Sequence, residues 1–511
     1  MSTTSEVRER LHADRWVVLG VLCATVLLVM IDNTIVNVAL PTLAVDLGAG
    51  TSGLQWVVDA YTLVFAGLLL GAGHASDRLG RKRVLLVGVA AFAAMSAVAA
   101  SVTTLNALIA ARAGLGAAAA LVFPATLALI MDRFAGDGPR ARAERAAAVG
   151  VWAAMAGIGV AVGPVAGGWL LEHYSWPSVF WIAVPYGLVA LVVGVLVLPE
   201  SRSKSVGRFD WTGLVLSIGA VGTLVWSVIE GPHHGWASAA SLAGFGGAVV
   251  LGAALIGWEL KAEHPVLDVG LFTHRRFTAS AAVIAVAFFS LFGFIFMVTQ
   301  YFQLVRGYGT LSAGLHTLPF AAVMAVCSPL AMAASRRVPS WALIAAGMTT
   351  MAAGFALVLV TGTDSSYWRL VIVAMSLMAA GLALVQGPAT EVIMTALPLD
   401  RAGSGSAVND TTREIGGTLG VAVLGSVMST VFASRVGDLL AGVPMPGAAR
   451  EAASSSVAAG VQVARSVPAS GGAVLEAVRV AFVDAMHSAT LVAAIACLAG
   501  ALAAVLLLRR R

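Results

Sequence analysis

Seven ionisable side chains interrupt the long apolar stretches of this chain: Asp32, Asp59, Arg112, Glu391, Asp410, Arg413 and Glu414. Charge held away from water is costly, so each is a candidate for function. Asp32 lies past the middle of the first apolar stretch, Asp59 near the start of the second, and Arg112 in the outer part of the fourth. As antiparallel helices, those stretches bring all three to one depth. A carboxylate in a low-dielectric site holds its proton more tightly, and a neighbouring arginine loosens that hold. Competition between the two suits a group that takes up and gives back protons. The simpler alternative is a static Asp–Arg pair pinning two helices and, for Asp59, contact with outer water.

Asp410, Arg413 and Glu414 stand at i, i+3 and i+4, on one face of a helix. They are expected near the inner end of their stretch, with Glu391 near the inner end of the one before. Such a cluster serves substrate contact or a second protonation, or else is a self-neutralised cap at a helix start. The run GVAVGPVAGG (159–168) sets Gly159, Gly163, Gly167 and Gly168 around Pro164. Small residues let helix backbones approach closely, and proline removes a helix hydrogen bond. The run reads as a sliding or sealing surface between helices. GHASDRLGRKRVLL (73–86) bridges the second and third stretches. Asp77 is placed to accept from helix N-termini or arginines, and Gly80 permits a sharp turn. With Gly73, Arg78 and Arg81 at that spacing, the loop reads as a charge relay that locks one conformation. A plain anchor to anionic headgroups explains its arginines alone.

The elements that must hold these groups follow from composition. Of 511 residues, 59% are hydrophobic and 11% charged, and the mean hydropathy is +0.91. Soluble domains carry roughly 25% charged residues, so this chain cannot cover a water-facing surface. That excludes a soluble enzyme, a secreted disulfide scaffold and a disordered regulator. Cys23, Cys327 and Cys497 are scattered through apolar stretches and imply neither disulfide nor metal site. None of the lysines Lys82, Lys204 and Lys261 follows a glycine, which removes the phosphate-binding loop that ATP hydrolysis needs. His316 reads as a packed histidine, and His233 with His234 makes a poor metal site without further ligands.

A bilayer-crossing helix needs about 20 apolar residues. The runs between charged or Gly/Pro-rich breaks number fourteen: 16–40, 54–73, 84–102, 104–130, 146–171, 177–199, 211–230, 237–259, 277–303, 311–334, 340–362, 367–395, 404–434 and 485–508. Most of the 31 basic residues then fall on the side of the N-terminus, as expected of a chain with both ends in the cytoplasm. The expected divisions are a tail (1–15), a six-helix bundle (16–199), a two-helix insertion with linkers (200–276), a second six-helix bundle (277–508) and a tail (509–511). Residues 435–484 are expected to form a long, polar outer loop, with room for a surface helix. A faint internal repeat, GTSGLQW (50–56) against GTLSAGLH (309–316), supports the two halves.

At these motifs the chain resembles the major facilitator superfamily, specifically its fourteen-helix drug:proton antiporter branch, over nearly its whole length. IDNTIVNVALP (31–41) is similar to the span-one signature and carries its acid onto Asp32. The 73–86 segment resembles the loop 2–3 motif, with Ala75 where leucine is usual. RAGLGAAAA (112–120) is similar to the span-four motif, placing its arginine on Arg112 and its glycine on Gly116, with Leu115 where glutamine is usual. GVAVGPVAGG matches the span-five antiporter motif without deviation. RFDWTG (208–213), PVLDVGLF (265–272), TQYFQLVRGYGTLSAGLHTLP (299–319) and NDTTREIGGTLGVAVLG (409–425) extend the likeness. An acid in span two, here Asp59, is a variable feature of the branch.

The resemblance implies an all-α polytopic membrane protein, with two six-helix bundles and two additional central helices. It implies proton-coupled efflux of amphipathic drugs, antibiotics or related small molecules by alternating access, and no enzymatic activity. Asp32, Arg112 and Asp59 would then serve proton coupling. Glu391, Asp410, Arg413 and Glu414 would serve the substrate or a secondary protonation, and the two glycine-bearing motifs would gate. No cofactor and no metal is expected, the proton gradient being the drive. The expected partners are a small-molecule substrate, protons and membrane lipids, without nucleic acid. The expected form is a monomer in a bacterial plasma membrane. A lipid or cell-envelope precursor transporter on the same scaffold is the alternative; a metabolite importer is another, against which the span-five motif argues.

Overall fold

The computed structural model describes residues 2–135, 138–202, 210–263, 269–395, 402–467 and 470–509. Among the described residues there is no strand, and fourteen helices are long and apolar enough to cross a membrane. In lipid each backbone N–H and C=O must find its partner inside the protein, which a helix achieves span by span.

The first six spans are α1 (Ser2–Asp46), α2 (Thr51–Leu79), α3 (Arg81–Ser101), α4 (Leu105–Arg133), α5 (Pro139–His173) and a broken sixth, α6 (Ser178–Trp181) with α7 (Ala183–Val197). Two more follow, α8 (Trp211–His234) and α9 (Ala239–Glu259). Then comes α10 (Arg275–Gln300), which ends in a π-turn over Tyr301–Val305. The short α11 (Thr310–Leu315) leads into α12 (Leu318–Ala334), and α13 (Ser340–Val358) follows. A second π-turn, Tyr367–Val371, opens α14 (Ile372–Thr395). The chain finishes with α15 (Ala402–Leu439), two short helices, α16 (Gly447–Ser455) and α17 (Val457–Ser466), and α18 (Gly471–Ala503). The face at which α1 begins is the near face, and the opposite one is the far face.

The stretch 435–484 departs from the expected loop. α15 runs on to Leu439 and α18 begins at Gly471, so the connection is shorter and itself holds α16 and α17. Hydropathy ends where polarity begins, but Ala-rich polar sequence remains a good helix former. Both spans therefore project beyond their apolar portions.

In the first half α1 packs on α5, and α2 and α3 pack on α4; in the last, α10 packs on α15 and α13 on α14 and α18. Close approach is set by small residues. Gly416 and Gly420 on α15 lie against the backbone of Ala285 and Phe289 on α10, where a Cβ would collide. Two seams join the halves, α2 against α15 and α5 against α11. α8 lies over the first seam, touching both α2 and α15, with α9 packed on α8.

Hydrogen bonds that cross between the halves gather toward the far face. Gln55 Nε2 on α2 donates to the carbonyls of Val421 (3.0 Å) and Ala422 (2.9 Å) on α15. Gln303 Nε2, in the first π-turn, donates to Val38 O on α1 at 2.9 Å, and Thr310 Oγ1 on α11 donates to Gly168 O on α5 at 2.9 Å. The faint repeat has a structural counterpart: Gly50 and Gly309 are both extended N-caps, of α2 and α11, where the second span of each half begins.

Candidate functional site

At the centre of the first half, α1 and α4 bring together the acid and the guanidinium expected from sequence. Arg112 Nη1 donates to Asp32 Oδ2 at 2.8 Å, with side-chain exposures of 0% and 2%. Arg112 Nε donates to Val57 O on α2 at 3.0 Å, and the guanidinium lies 4.3 Å from the centre of the Tyr61 ring. Local packing makes this possible. Gly116, one turn beyond Arg112, backs onto the Tyr61 backbone so closely that a Cβ would collide, which draws α2 within reach. Leu115 is fully buried in the apolar core. The carbonyl of Val57 and the Tyr61 ring supply contacts to the arginine in a span short of polar side chains. Desolvating two charges costs about what their attraction returns, but removing one partner costs roughly 3–5 kcal/mol. Asp32 Oδ1, Arg112 Nη2 and the Tyr61 hydroxyl have no hydrogen-bond partner among the described residues. The pair thus retains open valences for a proton, water or substrate.

Asp59 does not join this pair. Val57 and Tyr61 are one turn apart and face Arg112; Asp59 lies between them, about 200° round the helix from each. It shares its face with Gln55 and Thr62, which address α15, the latter through a 3.0 Å hydrogen bond from Thr418 Oγ1. The Asp59 side chain is fully buried and neither carboxylate oxygen has a hydrogen-bond partner among the described residues. Among the described residues, the fully buried interior of the first half therefore holds one ion pair and one separate acid.

On α15, Asp410, Arg413 and Glu414 sit several turns inside the helix rather than at its start. Arg413 Nη1 lies 3.8 Å from Asp410 Oδ1, Arg413 Nη2 donates to Thr390 Oγ1 at 3.2 Å, and its guanidinium lies 5.3 Å from the Phe288 ring centre. Glu414 is half-buried, with Oε2 unpartnered among the described residues. It lies within electrostatic reach of Tyr61, as do Asp32 and Arg112. Glu391 is exposed in the last turns of α14.

The two motifs occupy opposite faces. In the 73–86 segment Arg81 forks onto Asp77 Oδ1 through Nε (3.0 Å) and Nη2 (2.9 Å), and Nη1 donates to Ser201 Oγ (3.3 Å) and Ala128 O (3.4 Å). This ties α2, α3, α4 and the segment after α7. Gly80 turns the chain at φ +114°, a conformation that side-chain-bearing residues rarely adopt. Arg78 is exposed, and Gly73 lies 3.7 Å from Pro124 Cβ at the place its own Cβ would fill, ordinary contact that leaves room for a methyl. Toward the far face, the span-five run meshes with both halves. Gly159, Gly163 and Gly167 receive Met30, Thr34 and Ile35 of α1, while Gly168 abuts Thr310 and Leu311 of α11. The Pro164 carbonyl meets Gly314 of α11, and α5 runs on unbroken through Pro164.

Sequence reasoning missed Tyr61, Gln55, Gln303 and the Thr62–Thr418 contact. Each is an uncharged polar group inside or bordering an apolar run, and a search extended from charges to all polar tips finds them.

Comparison with known proteins agrees with this architecture. The profile of the Major Facilitator Superfamily matches residues 22–421. The chain is 36% identical to the multidrug efflux pump LfrA of Mycolicibacterium smegmatis, over 95% of each chain. It is 33% identical to the tetracenomycin C resistance and export protein of Streptomyces glaucescens, over 96% of this chain and 92% of that one. It is 34% identical to the methyl viologen resistance protein SmvA of Salmonella typhimurium, over 92% and 93%. Among solved structures, a bacterial homologue of the human lysosomal transporter Spinster, inward-facing and occupied, superposes with a TM-score of 0.66 at 16% identity over 96% of both chains. The chain is a multi-pass transporter, not an enzyme, and it belongs to the Major Facilitator Superfamily, among its drug:proton antiporters.

Proposed function

We propose that this protein exports amphipathic drugs or antibiotics from a bacterial cell in exchange for protons, by alternating access. The observation that carries this reading is the fully buried Asp32–Arg112 pair, held between α1 and α4 with the Tyr61 ring against the guanidinium. A fixed arginine beside a carboxylate makes protonation and pair-breaking the same event. Protonation of Asp32 frees α1 from α4, and α1 is meshed through Gly159, Gly163 and Gly167 with the helix that seals on α11. Loss of the pair therefore reaches the far-face seal through contiguous packing, favouring the state open on that side. Deprotonation toward the near face restores the pair and resets the site for substrate.

Positive-inside charge placement puts the near face, with both chain ends, in the cytoplasm. No cofactor enters; the drive is the proton gradient, to which a membrane potential adds roughly 2.3 kcal/mol per charge per 100 mV. Coupling is reciprocal, so if substrate alters proton affinity, protons alter substrate affinity by the same factor. Relatives named for multidrug, tetracenomycin and methyl viologen resistance support the substrate class. Asp410, Arg413, Glu414 and Glu391 belong to the substrate or to a second protonation, and Asp59 to proton handling at its own seam. Asp32→Asn is expected to abolish proton-driven transport of an organic cation in inverted vesicles while inserting normally. Full transport by a verified, inserted variant overturns the reading.

A further inference from the structure

The additional helix α8 brings a carboxylate to the far face that none of the motifs accounts for. Glu230 Oε1 accepts from Trp56 Nε1 at 3.0 Å and from Ser52 Oγ at 3.2 Å, both on α2. All three line a cavity of about 330 Å³ between the far ends of α2, α4 and α8. Trp56 walls that cavity on one side and packs against the Val225, Val228, Ile229 and Ala422 cluster on the other. Asp59 lies three residues further along α2, on the same face and one turn deeper, buried and without a hydrogen-bond partner among the described residues. Trp56 thus stands at the cavity wall, one turn nearer the far face than Asp59.

We propose that Glu230 is a latch. Its hydrogen bond fixes the Trp56 indole between the far-face cavity and Asp59, and a proton bound to Glu230 from that face releases the indole and admits water to Asp59. Ionised Glu230 makes a charge-assisted bond to the indole N–H, and the neutral acid makes a weaker one. The other titratable groups facing Glu230 are few. His234, on its own helix, lies with Nδ1 4.0 Å from Oε2, and His233 lines the cavity. α4 contributes Leu105, Asn106 and Ile109, none of which titrates, and α2 contributes Ser52 and Trp56. The latch gives α8 a part in proton admission beyond covering a seam. Glu230 is a positioning residue acting through Trp56, and the inference rests on the reading of Asp59 as a proton-handling acid.

The test uses a hydrophilic carbodiimide, which modifies protonated carboxyls, on the full-length protein in detergent, with modification at Asp59 read by peptide mass. In the unaltered protein, labelling at mildly alkaline pH is expected to be slow and to rise steeply on acidification, because Glu230 and Asp59 must both be protonated. Glu230→Gln and Trp56→Phe are expected to label about tenfold faster or more at alkaline pH. In both, the rise on acidification is shallower, because one protonation remains. A merely structural loosening raises the rate without changing the steepness. Equal rates and equal pH profiles in both variants and the unaltered protein overturn the latch. The labelling is read in detergent without transport, so its failure is distinguishable from failure of the export reading. Ser52→Ala, which removes the weaker bond, is expected to lie between and serves if a larger change fails to fold.

Discussion

Asp32 and Asp59 are both buried carboxylates in the first half, yet they lie on different seams in opposite electrostatic conditions. Asp32, on α1, is bonded to Arg112, and its helix meshes with the α5 surface that seals on α11. Asp59, on α2, faces the junction with α15 and α8 and has no hydrogen-bond partner among the described residues. An ionised carboxylate without a partner in such a junction costs several kcal/mol. The two acids thus differ in what a proton does: at Asp32 it breaks an ion pair, while at Asp59 its departure must loosen a seam. Depth along the membrane is a poor guide to role, and the partners round the helix decide it.

The largest effect that separates them is at Arg112. Arg112→Ala strands the Asp32 charge and is expected to lower stability by about 3–5 kcal/mol, read as a fall in the thermal midpoint in detergent. The Asp32→Asn, Arg112→Ala double variant should recover much of that loss. Next comes the seal linked to Asp32. Gly163→Val drives a branched side chain into Thr34 and is expected to cost about 1–3 kcal/mol and to block transport with expression retained. Full transport by that variant breaks the proposed path from α1 to the far face. On the seam of Asp59, Gln55→Ala removes two hydrogen bonds to α15 and is expected to cost roughly 1 kcal/mol. Its signature is faster far-side labelling of a cysteine introduced at Ala422, on the α15 side of that seam. The smallest effect is at Asp59 itself. Asp59→Asn strands no ionic partner and should shift stability by less than about 1 kcal/mol. A loss comparable to that of Arg112→Ala contradicts the contrast drawn here.

The helices were legible because apolar runs of membrane length leave the backbone one way to satisfy itself. The Asp32–Arg112 pair was legible for a related reason: charges inside such runs are rare, and two of opposite sign at compatible depth attract. Which way Asp59 points was not legible, because the rotation of α2 is set by its contacts with α4 and α15, remote in sequence. The reach of α15 and α18 into 435–484 was missed because hydropathy reports the membrane boundary and not the helix end. Gly73 shares the motif spacing with Gly80, yet Gly80 is held by its backbone angle while Gly73 has room for a methyl. The place of α8 over one seam, and its Glu230, depends on which surfaces the two halves leave uncovered, a property of the assembled bundle.

The central claim is that Asp32 exchanges its proton in step with substrate. Purified protein in weakly buffered detergent solution, titrated with a fluorescent organic cation such as ethidium, reports binding and proton release together. Proton release is expected on binding by the unaltered protein and is expected to be lost in Asp32→Asn, with cation binding retained. Undiminished release from Asp32→Asn at equal occupancy contradicts it.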